Sequence, residues 1–213
     1  MRLRRRREVV VTTLHPAQRS YRVRPRRAFS LMKIATPKPN YRRVVTANEQ
    51  GNSVVRSDGE VETYEFKSVP GYRHTLIGVN PSIPDLSREQ RFDQYPDSVV
   101  PGPGGTSLHY VTFPSGAVFS SPSFDGEAAR RESLDRLKGL ADHFEKDDPG
   151  MHKTNTVDYA VVVDGEIWLE LDDGKTVHLK KGAVVVQNGT RHAWRNKGTA
   201  PVTMLFFLNG AKE

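Results

Sequence analysis

At 213 residues the chain has room for one ordinary domain with an extension, and no apolar run approaches the ~18 residues that span a bilayer. There is no cysteine, which excludes disulfides, thiolate metal sites and cysteine nucleophiles and fits a reducing, cytoplasmic setting. The net charge of +7 conceals two opposite parts: residues 1–43 carry fourteen Lys and Arg against Glu8 alone, whereas residues 44–213 carry eighteen against twenty-four acids.

The first part, residues 1–40, is Arg-rich and interrupted by Pro16, Pro25, Pro37 and Pro39. Too few apolar residues are present to bury a core, so the composition predicts a disordered extension. Such a tail is read in four ways: an organellar transit peptide, an arm for nucleic acid or anionic lipid, a solvated tail, or an over-extended start ahead of Met32. The start at Met32 is favoured.

From Tyr41 onward, 41–213, the pattern is β. Residues 43–46 and 53–56 flank a turn at 49–52, and 61–69 alternates in the manner of a strand. Residues 70–106 are rich in Pro and Gly and predict a long loop-dominated excursion. Gly102 to Gly105 lack the Lys-Ser/Thr of a phosphate cradle and read as a turn. A strand is expected over 107–113.

One helix is predicted, over 126–144, capped by Asp125 or Ser123, with Leu134, Leu137, Leu140, Ala141 and Phe144 at helical spacing. Gly139 inside it costs about 1 kcal/mol relative to Ala, so this helix needs packing against the body. Short strands follow at 156–163, 166–171, 175–180, 183–187, 191–195 and 201–208, cut by Asp164-Gly165 and Asp173-Gly174. Their length and even spacing predict an antiparallel sandwich or barrel.

The chemistry concentrates between Gly150 and Asn196. Strand periodicity puts His152, Thr154 and Asp158 on one face. Val157, Tyr159, Val161 and Val163 make the other face apolar too, which predicts a strand buried on both sides, with Tyr159 as packing. His192, Trp194 and Asn196 share a face in the second block. An ionised carboxylate is costly to bury alone and much less so beside a divalent cation. Two neutral imidazoles and one carboxylate suit Zn²⁺ with a bound water, or Fe²⁺ with open positions. Elsewhere, His109 is read as a structural or surface histidine ahead of one facing the cavity from the opposite wall, His178 as solvent-facing, and His143 as opposing the helix dipole. Trp168 is expected to be an exposed aromatic. No nucleophile elbow is present.

These blocks resemble the two motifs of the cupin superfamily. In the first, His152 and Gly165 are on register, Thr154 stands where a second His is usual, and Asp158 stands for Glu. In the second, Gly182, Gly189, His192 and Asn196 match, Gln187 replaces Pro, Ala183 replaces an acid, and the spacing from Gly182 is one residue short. The local text is similar to a subgroup of bacterial and fungal single-cupin proteins.

The resemblance implies an all-β, antiparallel jelly-roll barrel with one amphipathic helix, motif region 150–196, and one divalent metal held by His152, Asp158 and His192. Fe²⁺ is favoured, with Zn²⁺, Mn²⁺ and Ni²⁺ as alternatives. Thr154 would tune a bound ligand and Trp194 shape the pocket. A small organic substrate is implied, with dioxygenase-type oxidation ahead of decarboxylation or isomerisation. A metal-free binding or sensing barrel is the alternative. A homodimer paired through strands in 43–69 is expected, with no membrane partner and nucleic acid only through the tail.

Overall fold

The computed structural model describes residues 40–86 and 96–212. The expectations for the basic tail and for a start at Met32 lie outside these residues. Eleven strands occur among the described residues, and every pairing is antiparallel. Among the described residues no helix is long and apolar enough to cross a membrane.

The chain enters through a hairpin, β1 (Tyr41–Glu49) and β2 (Asn52–Val61), that forms a two-stranded sheet of its own. Gln50 and Gly51 both have positive φ, the conformation that a two-residue hairpin turn requires. Its inner face ties down at two points. Tyr41 stacks on Tyr110 with ring centroids 3.9 Å apart, and the Arg43 guanidinium donates to the Ile77 carbonyl at 2.9 Å.

The body contains two further sheets. One has six strands in the order β3 (Tyr64–Glu65), β4 (Arg73–Asn80), β5 (Thr106–Phe113), β11 (Val202–Gly210), β6 (Thr156–Asp164) and β9 (Val184–Asn188). The other has three: β10 (Ala193–Arg195), β7 (Glu166–Glu170) and β8 (Thr176–Lys180). The main core joins them, with Ala160, Val162, Val202 and Met204 from the large sheet packed with Ile167, Leu169 and Leu179 from the small one.

Four expectations require correction. First, β6 is buried on one face only. Its even residues from Thr156 to Val162 are buried, while Tyr159 is 47% exposed beside Val186 and Phe207, which are exposed as well. The apolar character of the outer residues reflects strand propensity on a surface face, and Tyr159 is not packing.

Second, the 70–106 excursion contains β4. A register shift between Leu76 and Gly78 breaks its alternation, and Pro-Gly and Pro-Ser flanks disguise it as loop. Third, the alternation over 61–69 yields only the two-residue β3. The chain then turns, with Phe66 N–H bonded to the Tyr72 carbonyl at 2.9 Å, and Phe66 and Val69 are buried against the helix.

Fourth, the helix is shorter than its apolar spacing indicates. Helix α1 (Gly126–Arg136) starts at Asp125, whose carboxylate accepts from Ala128 N–H at 2.9 Å, and stops at Leu137. Gly139 has φ +77° and lies so close to Ser98 that a Cβ there would collide with it. This glycine therefore breaks the helix and lets the 98–100 segment approach, where Val99 N–H bonds the Lys138 carbonyl at 2.9 Å. His143 falls in a separate 3₁₀ turn, Ala141–His143, so it does not oppose the dipole of α1.

Candidate metal centre

The segments before β6 and β10 meet at His152 and His192, which form an isolated antiparallel bridge. Each N–H bonds the other's carbonyl, at 3.0 and 2.9 Å, and the two rings lie 4.3 Å apart between centroids. Gly150 and Gly189 supply the positive-φ turns immediately upstream of each histidine, at +85° and +57°. A side chain at Gly189 would press on the Thr154 carbonyl, 3.3 Å from the position of a Cβ.

Hydrogen bonding determines the tautomer of both rings. His152 Nδ1 lies 3.0 Å from the Gly150 carbonyl, and His192 Nδ1 lies 2.9 Å from the Thr190 carbonyl. A carbonyl only accepts, so each Nδ1 carries the proton and each Nε2 keeps a lone pair. Burial holds both rings neutral. His152 is lowered to about 4, by desolvation first and the neighbouring His192 second, and His192 is lowered chiefly by desolvation. Two neutral imidazoles with Nε2 uncommitted suit a divalent cation.

Asp158 is different. It lies on β6 between Gln187 of β9 and Leu208 of β11, is 6% exposed, and its Oδ1 has no partner among the described residues. Burial raises its carboxyl to about 6, against a hydrogen bond from Thr156 that lowers it. Among the described residues no three His, Asp or Glu side chains converge as a metal-binding group. The structure thus brings the two histidines together and leaves Asp158 apart. The donor chemistry nevertheless fits a cation, because the orphaned carboxylate oxygen has an unmet need for positive charge or a proton.

Thr154 is buried, and its hydroxyl is paired with that of Thr156 at 2.8 Å. Trp194 meets His192 edge-on at 5.6 Å and Phe206 at 5.5 Å, a position that lines the barrel interior beside the pair. Phe144 meets His152 edge-on at 5.2 Å. Asn196 closes the second block by donating to the Ala200 carbonyl at 2.8 Å. His178 is exposed, stacked on Trp168 and bonded to Glu166. A separate cleft of about 520 Å³ between the 98–103 loop, Gly139 and Ala211 includes neither His152 nor His192.

Sequence reasoning missed two arginines. Arg191 donates from Nε and Nη2 to both carboxylate oxygens of Glu145, at 2.6 and 2.7 Å, and from Nη1 to Asp172 at 3.0 Å. Its hydrogen bond holds the Glu145 carboxyl below the usual range. Arg195 donates to Glu170, to Asp148 and to the Pro149 carbonyl, each at 2.5 Å. The residues that bracket His192 therefore grip the 145–149 segment leading to His152. A signal existed: Arg191 and Arg195 have opposite parity to His192 and Trp194, and acids lie at 145, 148, 170 and 172.

Residues 145–208 match the family model for the cupin domain. Over 63 residues the chain is 52% identical to the phomopsin biosynthesis cluster protein C' of Diaporthe leptostromiformis, covering 29% of this chain and 33% of that one. Over 116 residues it is 31% identical to the oryzines biosynthesis cluster protein J of Aspergillus oryzae, covering 52% and 48%. The cupin-domain-containing oxidoreductase virC of Hypocrea virens is 37% identical over 65 residues, 29% of this chain and 34% of that one. The chain thus spans between a third and a half of the length of these relatives.

Proposed function

We propose that this chain, a member of the cupin superfamily, holds one divalent metal ion at His152 and His192 and oxidises a small organic molecule beside it. The observation that carries the reading is the tautomer of the pair: two rings in contact, both neutral, both with Nδ1 spent on a carbonyl and Nε2 available. The relative named as a cupin-domain-containing oxidoreductase supports oxidation, and the two relatives named for biosynthesis clusters support a small organic substrate.

Fe²⁺, when bound, supplies redox chemistry and open coordination positions; Zn²⁺, Mn²⁺ or Ni²⁺ supplies Lewis acidity. The protein's own residues supply the remainder. His152 and His192 donate from Nε2, and their backbone bridge resists separation of the rings. Asp158 stands apart from the pair, and its partnerless Oδ1, costly to bury unless a cation or proton satisfies it, is the carboxylate that would join the ligand set. Thr154 keeps a hydroxyl pair with Thr156 and would tune a bound ligand. Trp194 and Phe206 give the interior an apolar wall that excludes water from the reacting molecule.

Metal analysis of untagged protein tests the reading, followed by oxygen uptake after iron loading with catechols, hydroxyacids and diketones. The expected results are one equivalent of metal, lost in His192→Ala, and oxygen consumption with at least one compound class. Protein that takes up no metal, or equal metal in His192→Ala, sinks it. A second reading, a metal-free small-molecule binding barrel, is favoured by the Thr154–Thr156 pairing at the position where the superfamily pattern has a further histidine. It predicts ligand binding unchanged by chelators.

A further inference from the structure

On β4 and β5 a second pair of histidines is built differently. His74 Nε2 lies 2.9 Å from His109 Nδ1, and His109 Nε2 lies 2.7 Å from the Ser107 hydroxyl. The hydroxyl in turn donates to the Val99 carbonyl at 2.9 Å. All three side chains are buried.

The direction of every proton follows from that last bond. The carbonyl can only accept, so the Ser107 proton is spent on it and the Ser107 oxygen accepts from His109. His109 therefore carries its proton on Nε2. Burial keeps it neutral, with His74 adding to the downward shift. A neutral ring protonated at Nε2 has its lone pair on Nδ1, which accepts from His74 Nε2. His74 is neutral as well, lowered to about 4 by desolvation. The relay thus ends at His74 Nδ1, a lone pair with no proton of its own. Donors aligned head to tail polarise one another and strengthen the terminal acceptor.

Register shows which side of the sheet the relay occupies. His74 lies opposite Val111, which lies opposite Met204, which lies opposite Val162. His109 lies opposite Phe206, which lies opposite Ala160. Val162, Met204 and Ala160 belong to the main core, so the relay is on the inner face. Phe206 meets Trp194, and Trp194 meets His192. The relay and the His152–His192 pair therefore line one interior from opposite walls. Apolar residues such as Leu76 and Val111 occupy neighbouring inner positions, and replacing a buried polar set by apolar groups of like shape is nearly neutral for folding. Packing alone gives no reason for three aligned polar groups.

We propose that His74 is a ligand-binding residue of the barrel interior, whose Nδ1 accepts a hydrogen bond from a neutral hydroxyl or N–H group of a small molecule. A carboxylate or phosphate at this wall would meet a lone pair and be disfavoured. The assignment rests on the interior being the binding space and does not require a metal.

Metal-free protein with ¹⁵N-labelled histidine provides the test, with phenol as a neutral donor and benzoate as an acceptor of similar size. Both His74 and His109 are expected as Nε2–H tautomers, with the His74 Nδ1 resonance shifted by phenol and unmoved by benzoate. His74→Leu weakens phenol binding by about tenfold or more, the worth of one buried hydrogen bond. Ser107→Ala keeps both rings but removes the group that orders them, and weakens it by about threefold. Because the protein tested is metal-free, the phenol response does not depend on metal uptake, which separates failure here from failure of the metal reading. A protonated His74 Nδ1, an equal response to benzoate, or phenol affinity unchanged in both His74→Leu and Ser107→Ala overturns the assignment.

Discussion

Two histidine pairs face one barrel interior, and they differ in where their nitrogens are spent. At His152 and His192 each Nδ1 is bonded to a backbone carbonyl two residues upstream, so both Nε2 atoms are left for a ligand. At His74 and His109 the rings are bonded to each other and to Ser107, so one nitrogen remains at the end of the chain. The first arrangement suits a cation and the second a hydrogen-bond donor. Residue type is the same in both pairs; the backbone around them decides the chemistry.

The comparison breaks most sharply on metal affinity. His192→Ala is expected to weaken metal binding by about a hundredfold or more, while His109→Ala leaves it within about threefold, as measured by calorimetric titration. Equal losses in the two variants would merge the pairs into one site and remove the distinction.

Stability reverses the ranking. His109→Ala strands the His74 Nε2–H and the Ser107 oxygen in the interior and should cost about 2–4 kcal/mol in denaturant unfolding. His152→Ala, at a half-buried position, should cost about 1 kcal/mol or less.

Next is the response to pH. His74 and His152 are both lowered to about 4 in the fold, and burial lowers His109 well below its ordinary value. For such groups the unfolded chain binds protons first. Their contribution is complete above the unfolded value of about 6.5 and is lost as pH falls toward 4. Asp158, raised to about 6, runs the other way, disfavouring the fold as pH rises from about 4 to 6. The histidines outnumber it, so the unfolding midpoint should drop between pH 6.5 and 4. His74→Leu should flatten the slope, and an unchanged slope would show that the relay is charged in the fold.

The arginine grip gives a smaller effect, confined to one pair. Arg195→Ala should weaken metal binding by about tenfold with the relay tautomers unmoved, and Arg195→Lys should recover only part, since one ammonium cannot reproduce bonds to Glu170, Asp148 and Pro149 together. Smallest of all, His178→Ala, exposed on Trp168, should change stability by about 0.5 kcal/mol or less.

Much of the fold was legible because short strands advertise themselves. From residue 156 onward, Asp-Gly turns and alternation place β6 to β11 within a few residues of their observed bounds. The upstream wall was hidden. β4 carries a register irregularity and Pro-bounded ends, so in the sequence His74 resembles loop and His109 has no visible partner. The helix was over-extended because Leu137, Leu140 and Phe144 keep helical spacing while their backbone does not. Gly139 has turned the chain, and the same apolar side chains pack from a bend.

By itself the sequence determined the strand succession, the antiparallel class and the alternation that turns Asp158, Ala160 and Val162 of β6 inward, because period-two alternation is a local property of the backbone. Only the tertiary structure decided which of these residues meet. The bridge between His152 and His192 joins segments forty residues apart, and among the described residues Asp158 does not join them in a three-residue group. The protonation pattern of all four histidines was likewise set by carbonyls and a hydroxyl placed by the fold. Hydrogen-bond direction depends on which acceptors the chain brings within 3 Å, and spacing along a sequence carries no record of that.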